Sequence, residues 1–484
     1  MTDRTATDRT ATDRAMPDRA AAAPATTAHA IPSAATVRAD EPHPAADTAS
    51  LGETARVAAT VLLPAVATGL IRRRPAAMQL VERYEVDRLA VRTLRKLRRD
   101  HRGRPVQLRL PGRSVTVLLD HADVGHLLAE APAPFSPATL EKRAALRRFQ
   151  PHGVLISEGG ERAERRDLNE EALQPGHEVH HIAGGWPATI ASHAGGLPTV
   201  VGWEQFSDTW WRLVREITLG GDTVDDREIT DLLTALRQRA NWAYLVPKLR
   251  RHRERLLELV RQQVAANRPG SLASALVAAA DHAGSGGRSH GSRHTGSDAV
   301  ASQLLHWLFA FDAAGIATFR TLALLAAHPD MLRRAREEAR DGAADAPRQL
   351  PFLRACVLES LRLWPTTPAL LREARTDTAW ARNGATLLAF APLFHRDSAR
   401  LPYADRFAPD VWLDGRAAAQ PALVPFSAGP AACPGRDVVL FTTATFLAVF
   451  LRDREPQLDE TGGARLDGGR VPASLNHFAL RVSG

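Results

Sequence analysis

The sequence predicts a mainly α protein: one large helical domain with a small β-rich lobe. Three observations point there. The 484 residues include 44% hydrophobic side chains, enough for a single deep core. Two long apolar runs, Ser302–Pro329 and Val438–Leu451, have no proline until the end of the first, and they read as helices buried nearly all round. Strand signals are short and scattered: alternating runs around Pro111-Gly112, the stretch GATLLAF from Gly384, and the C-terminal RLDGGRVPASLNHFALRV.

The net charge is +8, carried by arginine far more than lysine. A basic balance permits nucleic acid, anionic membrane or acidic protein partners. Zinc-finger spacing, an RNP motif and a concentrated basic tract are all missing from the sequence, so no nucleic-acid partner is predicted. The two cysteines, Cys356 and Cys433, form no disulfide framework and suit a reducing cytoplasm. Cys356 falls in a predicted helix and reads as a small core residue.

Residues 1–50 read as a disordered tail. TDRTATDRTATDRAMPDRA repeats a polar unit, and an Ala/Pro/Thr-rich run follows; neither buries enough apolar surface to offset ordering entropy. The tail has no apolar core of the signal-peptide kind. Residues 51–484 are taken as the folded domain. VAATVLLPAVATGLIRRRP, from Val57, is interrupted by Pro64 and ended by Arg72, Arg73 and Arg74, short of the ~20 apolar residues of a spanning helix. No transmembrane segment is predicted. The stretch reads as a helix packed on the body, or alternatively as one dipping into a membrane interface.

A helix over about Ala76–Arg99 is predicted next, then the hairpin and a short helix in HADVGHLLAE. On a helix starting near Gly160, Arg162 and Arg166 share one face, and a solvated face paired with Glu161 and Glu164 is the plain reading. Gly176 to about Arg268 reads as mainly helical. Within it His177-Glu178-Val179-His180-His181 fits a zinc-protease pattern that needs a helix, yet Pro175-Gly176 and Gly184-Gly185 leave room for barely two turns. Ordinary surface histidines, His193 included, are the better reading. Residues 283–298, rich in Gly and Ser, are predicted to be a flexible linker between two helices.

In the Ser302–Pro329 run one acid, Asp312, lies beside Ala313, Ala314 and Gly315. An isolated acid in an apolar helix is costly without a partner or a task; a structural place at a helix bulge is the plain alternative. Further on, Glu359 and Arg362 are three apart on a helix between Val357, Leu358, Leu361 and Leu363, so the pair is predicted to be buried and to need further hydrogen-bond partners. From Pro425 a Gly/Pro-rich loop holds Phe426, Gly429, Pro430, Cys433, Pro434 and Gly435 just ahead of the second buried helix. Free N–H groups and the dipole at that helix start are predicted to lower the Cys433 pKa and suit it to bind a metal as thiolate. The glycines let backbone N–H groups approach the sulfur.

Phe426-x-x-Gly429-x-x-x-Cys433-x-Gly435 resembles the haem-binding signature of the cytochrome P450 family. Glu359-Ser360-Leu361-Arg362 and Tyr403-Ala404-Asp405-Arg406-Phe407 resemble two further motifs of that family, in the family's order. The resemblance spans about Val57 to Val482. It implies a prism-shaped helical domain with a small β-rich lobe, and haem b held by the Cys433 thiolate. It implies a structural triad of Glu359, Arg362 and Arg406. It also implies propionate contacts from Arg162, Arg166 and Arg372, and more weakly from His395. The family usually has Arg or His two residues before the cysteine; this chain has Ala431, so propionate binding leans on other residues.

The family also carries Ala-Gly-x-Asp/Glu-Thr in its central helix, where acid and hydroxyl relay protons to iron-bound dioxygen. In one register Asp312 falls on the acid and Ala313 on the threonine. In another, Gly315 and Thr318 fall on Gly and Thr, with Ala317 on the acid. Either way one member of the pair is missing. The implied activity is monooxygenation, hydroxylation or epoxidation of a hydrophobic small molecule such as a natural-product intermediate, with a ferredoxin or flavodoxin-type electron donor, in the cytoplasm of a bacterium. Peroxide use, or coupling or rearrangement without oxygen insertion, is the first alternative. A non-catalytic helper of P450-like fold is the second.

Overall fold

A computed structural model describes residues 44–285, 296–459, 466 and 469–484. These residues all belong to one unit.

Among the described residues nine strands form two sheets: β1 Asp47–Thr48, β2 Val106–Leu110, β3 Arg113–Val117, β4 Phe135–Ser136, β5 Val200–Gly202, β6 Ala369–Ala374, β7 Thr386–Phe390, β8 Gln457–Leu458 and β9 Arg481–Ser483. The larger runs β1-β2-β3-β7-β6-β4 and the smaller β5-β9-β8. The hairpin around Pro111-Gly112 forms as the sequence predicts, with Leu110 opposite Arg113. β3 then runs parallel to β7, pairing Val115 with Thr386, so the early hairpin and the late strands share a lobe.

The helical body surrounds the central helix, Ser297–Ala326. It packs on the helices Trp203–Leu219, Arg250–Ala266, Pro351–Leu363 and Arg436–Asp453. It is a continuous α-helix, so the bulge considered for Asp312 does not form. The helix ends just before His328-Pro329, as the restriction on the residue before proline dictates, and Pro329 opens the next helix. Among the described residues it is the one helix long and apolar enough to cross a membrane, and it is mostly buried inside the fold. Cys356 is buried, as predicted.

Several boundaries differ from expectation. β1 and a Ser50–Glu53 capping box organise the chain ahead of residue 51; the rest of the predicted tail, 1–43, lies outside the described residues. The Val57 stretch is a π-helical turn, Ala58–Leu62, followed by the helix Leu63–Thr68, with Pro64 in its first turn, where proline is tolerated. The helix expected over Ala76–Arg99 is two, Pro75–Arg83 and Val86–Asp100, broken where Glu85 takes a left-handed φ of 44°. Of the predicted linker, 286–295 lie outside the described residues, and the preceding helix continues to Ser285.

Packing around the central helix is tightest at Gly315. A Cβ there would lie 2.7 Å from the Trp210 ring, whose Nε1 donates to the Phe311 carbonyl at 2.8 Å. Gly315→Ala should therefore destabilise the protein by about 1–3 kcal/mol through overpacking. Urea denaturation followed by tryptophan fluorescence checks this.

Candidate functional site

The Cys433 loop is shaped by backbone bonds. The Cys433 N–H donates to the Phe426 carbonyl at 2.9 Å, and the Ala432 N–H to the Gly429 carbonyl at 2.9 Å. Gly429 has φ +66°, and a Cβ there would lie 2.1 Å from the Leu128 carbonyl oxygen. Only glycine lets the loop press against the His121–Ala129 helix in this way. Phe426 packs partly against the main core.

Arg166, on the helix Gly159–Leu173, donates to the Ala432 carbonyl at 2.5 Å and pairs with Glu170. Its guanidinium ties the loop to the Gly159–Leu173 helix. The Gly435 N–H bonds to the Cys433 sulfur and, with Arg166, favours the thiolate. Burial and the nearby Asp437 carboxylate act the other way, and burial wins: the thiol is pushed up from its ordinary value. The expected lowering by the helix start does not decide the outcome. Asp437 sits in the first turn, accepting from Arg354 at 2.8 Å and from the Gly176 N–H at 2.8 Å. A metal at this sulfur must displace the proton, as metals at cysteine do.

Glu359 and Arg362 are fully buried and bonded twice, at 2.7 Å each. Arg362 also donates to the carbonyls of His395, Tyr403, Ala404 and Arg406. Glu359 accepts from the Ala408 N–H and from Trp412 Nε1, both at 2.9 Å. The third partner is thus Trp412. Arg406 contributes its carbonyl alone, with its side chain exposed, which corrects the expected triad. The His395 imidazole accepts from the Val424 N–H, and burial pushes its pKa down to about 3, so it tends the backbone rather than an anion.

Near this loop two buried arginines and a half-buried lysine converge. Arg372 on β6 donates to Ser427 Oγ at 3.0 Å, and its Nε has no partner among the described residues. Arg162 is buried and reaches only the Val154 carbonyl, at 3.5 Å. Lys142, on the helix Leu140–Leu146, donates to the carbonyls of Pro137 and Leu371. Burial and mutual repulsion push Arg372 down to about 10 and Lys142 well below the usual lysine value. The carboxylates adjacent in sequence are taken: Glu141 by Arg113, and Glu373 by Arg143 and Arg375. Such a trio fits the carboxylates of a buried dianionic cofactor. With the thiol loop alongside, the residues fit haem. Sequence reasoning missed Lys142, Asp437 and Trp412; the one available signal was that Lys142 is among three lysines in an arginine-rich chain.

Between Ala299 and Leu325 of the central helix, partial exposure is confined to His306, Phe309, Ala310, Asp312 and Ala313. His306, Phe309, Ala310 and Ala313 recur at helical spacing and form one face. Asp312 borders it and pairs with Arg237 at 2.5 Å. Arg237, on the helix Glu228–Ala240, also donates to the Ile71 carbonyl and lies over Phe309 at 5.1 Å. Burial pushes His306 down to about 4, so its imidazole is neutral at pH 7. Thr318 is buried and its hydroxyl donates to the Ala314 carbonyl at 2.9 Å. Gly315 faces Trp210, so Gly315 and Thr318 do not share the half-exposed face that carries Ala313.

The His177–His181 stretch is not helical, and among the described residues no His/Cys/Asp/Glu group could hold a metal. His180 is buried and bonded to the Ala172 carbonyl, unlike the surface residue expected, and His193 pairs with Glu216.

Residues 232–465 match the family model described as Cytochrome P450. A relative from Drosophila melanogaster, "Probable cytochrome P450 4s3", is 32% identical over 35% of this chain and 36% of its own length. "Cyclooctat-9-en-7-ol 5-monooxygenase" from Streptomyces melanosporofaciens is 32% identical over 32% of this chain and 37% of its own length. The matches thus span about a third of these relatives. The solved structure "Retinoic acid bound cyanobacterial CYP120A1" superimposes with TM-score 0.62 over 80% of this chain and 93% of that one, at 19% identity.

Two outcomes follow from the site's electrostatics. Glu359→Gln leaves the Arg362 charge buried with weakened pairing and should cost about 3–5 kcal/mol, read by denaturant titration. Lys142 has a folded-state pKa below its unfolded value, so the folded haem-free protein binds fewer protons than the unfolded chain in that interval. Its stability should therefore rise as pH climbs toward the ordinary lysine value of 10.5. Lys142→Met should flatten that slope in melting experiments across pH.

Proposed function

The chain belongs to the cytochrome P450 family, and we propose that it is a haem-thiolate monooxygenase that hydroxylates or epoxidises a hydrophobic small molecule. The family binds haem iron through a cysteine thiolate, and the observation that carries the reading is the Cys433 loop set beside Arg162, Arg372 and Lys142, which form no carboxylate ion pair among the described residues. Cys433 would be the axial ligand. Arg162, Arg372 and Lys142 would hold the propionates, Lys142 and Arg162 making up for Ala431. When bound, the haem supplies the iron centre at which an oxidant is activated.

The chain's own residues set the rest. Phe426 and the buried helix behind Cys433 limit water at the sulfur. Phe309, Ala310 and Ala313 offer an apolar face with small residues, suited to a substrate without charge. Asp312 is the group placed to hand on protons, with Arg237 keeping the carboxylate oriented. The separation of Gly315 and Thr318 from the half-exposed face supports the register that aligns Ala313 with the missing hydroxyl. A natural-product substrate is supported by the printed name of the Streptomyces relative. A ferredoxin or flavodoxin-type donor is supported by the net positive charge, and a cytoplasmic location by the two unpaired cysteines.

Ala313 favours a second reading, in which peroxide is the oxidant and no relayed proton is needed. The deciding experiment begins with the carbon monoxide difference spectrum of the reduced protein and of Cys433→Ser. A long-wavelength Soret band that disappears in the variant supports the thiolate assignment; a protein without haem overturns the reading. Asp312→Asn should then lower donor-driven turnover by about 100-fold or more while sparing peroxide-driven turnover. Wild-type turnover with peroxide alone would favour the second reading. Lys142→Met should speed haem loss to apomyoglobin by about 10-fold or more, as losing a charged hydrogen bond implies.

A further inference from the structure

We infer that the cavity lined by Arg320, Arg73 and Asp87 binds a carboxylate, at a site separate from the half-exposed face that carries Ala313. Arg320 is the one arginine or lysine in the central helix, and it is 6% exposed. A buried cation in an apolar helix is costly without an anion or a task. Arg320 Nη1 donates to the Trp364 carbonyl at 3.1 Å and Nη2 to the Leu475 carbonyl at 2.7 Å, while Nε has no partner among the described residues. Arg73 donates to the Thr366 carbonyl at 2.9 Å, to Thr68 Oγ1 at 3.2 Å and to the Gly69 carbonyl at 3.4 Å. Among the described residues both guanidiniums thus bond carbonyls and a hydroxyl, and neither bonds a carboxylate. Together with Asp87, Thr60 and apolar side chains such as Val61, Met78 and Phe390 they line a cavity of about 60 Å³. A space of that size holds about four atoms as large as a water, the bulk of an acetate group.

Electrostatics favour an anion there. Burial first, and then repulsion from Arg73, pushes Arg320 down to about 9, and burial also lowers Arg73. Two acids bear on the same guanidiniums. Asp87 accepts from Ser474 Oγ at 2.6 Å, and Glu82 accepts from the Asn476 N–H at 2.9 Å. Burial pushes both carboxyls upward, so each resists supplying the negative charge the arginines lack. Arg396, the remaining cation acting on Asp87, pairs with Asp405 at 2.7 Å. A carboxylate between Arg320 and Arg73 would accept charge-assisted hydrogen bonds from both, and the apolar lining suits the carbon behind it.

Position keeps this site apart from the Ala313 face. Arg320 follows Ala313 by seven residues, on the same stripe of the helix and ~10 Å further along its axis. Ile316 and Ala317 lie between them and are 6% and 1% exposed, so packing closes the helix surface from one to the other. The carboxylate belongs either to a free short acid or to the head of a longer amphiphile, and chain length distinguishes the two.

The test is calorimetric titration of the full-length, haem-loaded protein with acetate, with hexanoate and with hexanol as an uncharged control. Hexanoate should bind about 10-fold or more tighter than hexanol, as gaining charged hydrogen bonds implies. Hexanoate tighter than acetate assigns the head of an amphiphile; acetate as tight as hexanoate assigns a free small acid. Arg320→Met and Arg73→Gln should each weaken binding by about 10-fold or more. Asp87→Asn, which removes the like charge across the cavity, should tighten it by about 3-fold or more. Ala473→Leu, at another lining position, fills the space and should abolish binding, which keeps the test decisive if Arg320→Met does not fold. Binding should leave the Soret band in place and persist with imidazole on the haem. A protein without haem can be titrated in the same way, so failure of the haem reading leaves this result readable. No binding of either carboxylate, equal affinity in wild type, Arg73→Gln and Ala473→Leu, or binding that imidazole abolishes overturns the proposal.

Discussion

The fully buried Glu359–Arg362 pair is the constraint on which the site depends. Arg362 spends its donors on two carboxylate oxygens and four backbone carbonyls, and Glu359 answers with Ala408 and Trp412. Those partners lie in the stretch from His395 to Trp412, which leads directly into the Cys433 loop. A buried ion pair contributes little net stability once desolvation is counted. What it supplies is conformation: a loop without regular secondary structure has its carbonyls assigned to one guanidinium. Arg166 repeats the device on a smaller scale by holding the Ala432 carbonyl.

The electrostatics on either side of that loop are complementary. At Cys433, burial and Asp437 favour the protonated thiol. At Lys142 and Arg372, burial and mutual repulsion disfavour the cations. Each is a charge state the polypeptide alone makes costly. A group that brings a metal cation to the sulfur and carboxylates to the trio relieves both. On the proposed haem reading, Lys142 on the Leu140–Leu146 helix would supply the positive charge that Ala431 does not.

What the sequence makes legible is whatever residue type and spacing encode locally. The long apolar helices, the hairpin at Pro111-Gly112, the Glu359–Arg362 pair and the cysteine loop all belong to that class. What it hides depends on tertiary approach. Lys142 meets Leu371 across 229 positions, and Asp312 meets Arg237 across 75; no local pattern records either. Trp412 replaces Arg406 because the turn after Phe407 carries the indole N–H to Glu359 while the arginine side chain faces outward. The Cys433 pKa departs from the helix-start expectation because that argument counts N–H groups but not the burial of the sulfur. The break at Glu85 has no glycine or proline to announce it.

Trp210 sits in the notch left by Gly315 and is bonded to the Phe311 carbonyl. That contact works as a key in a slot: the central helix cannot slide along its axis, or roll toward the Trp203–Leu219 helix, without first expelling an indole ring. The wall carrying Asp312 and Ala313 is therefore fixed on one flank. Any movement away from the face it carries has to come from the opposite flank, through the Arg237 helix and the turn at Ile71. Displacing that flank would disturb the contacts that orient Asp312.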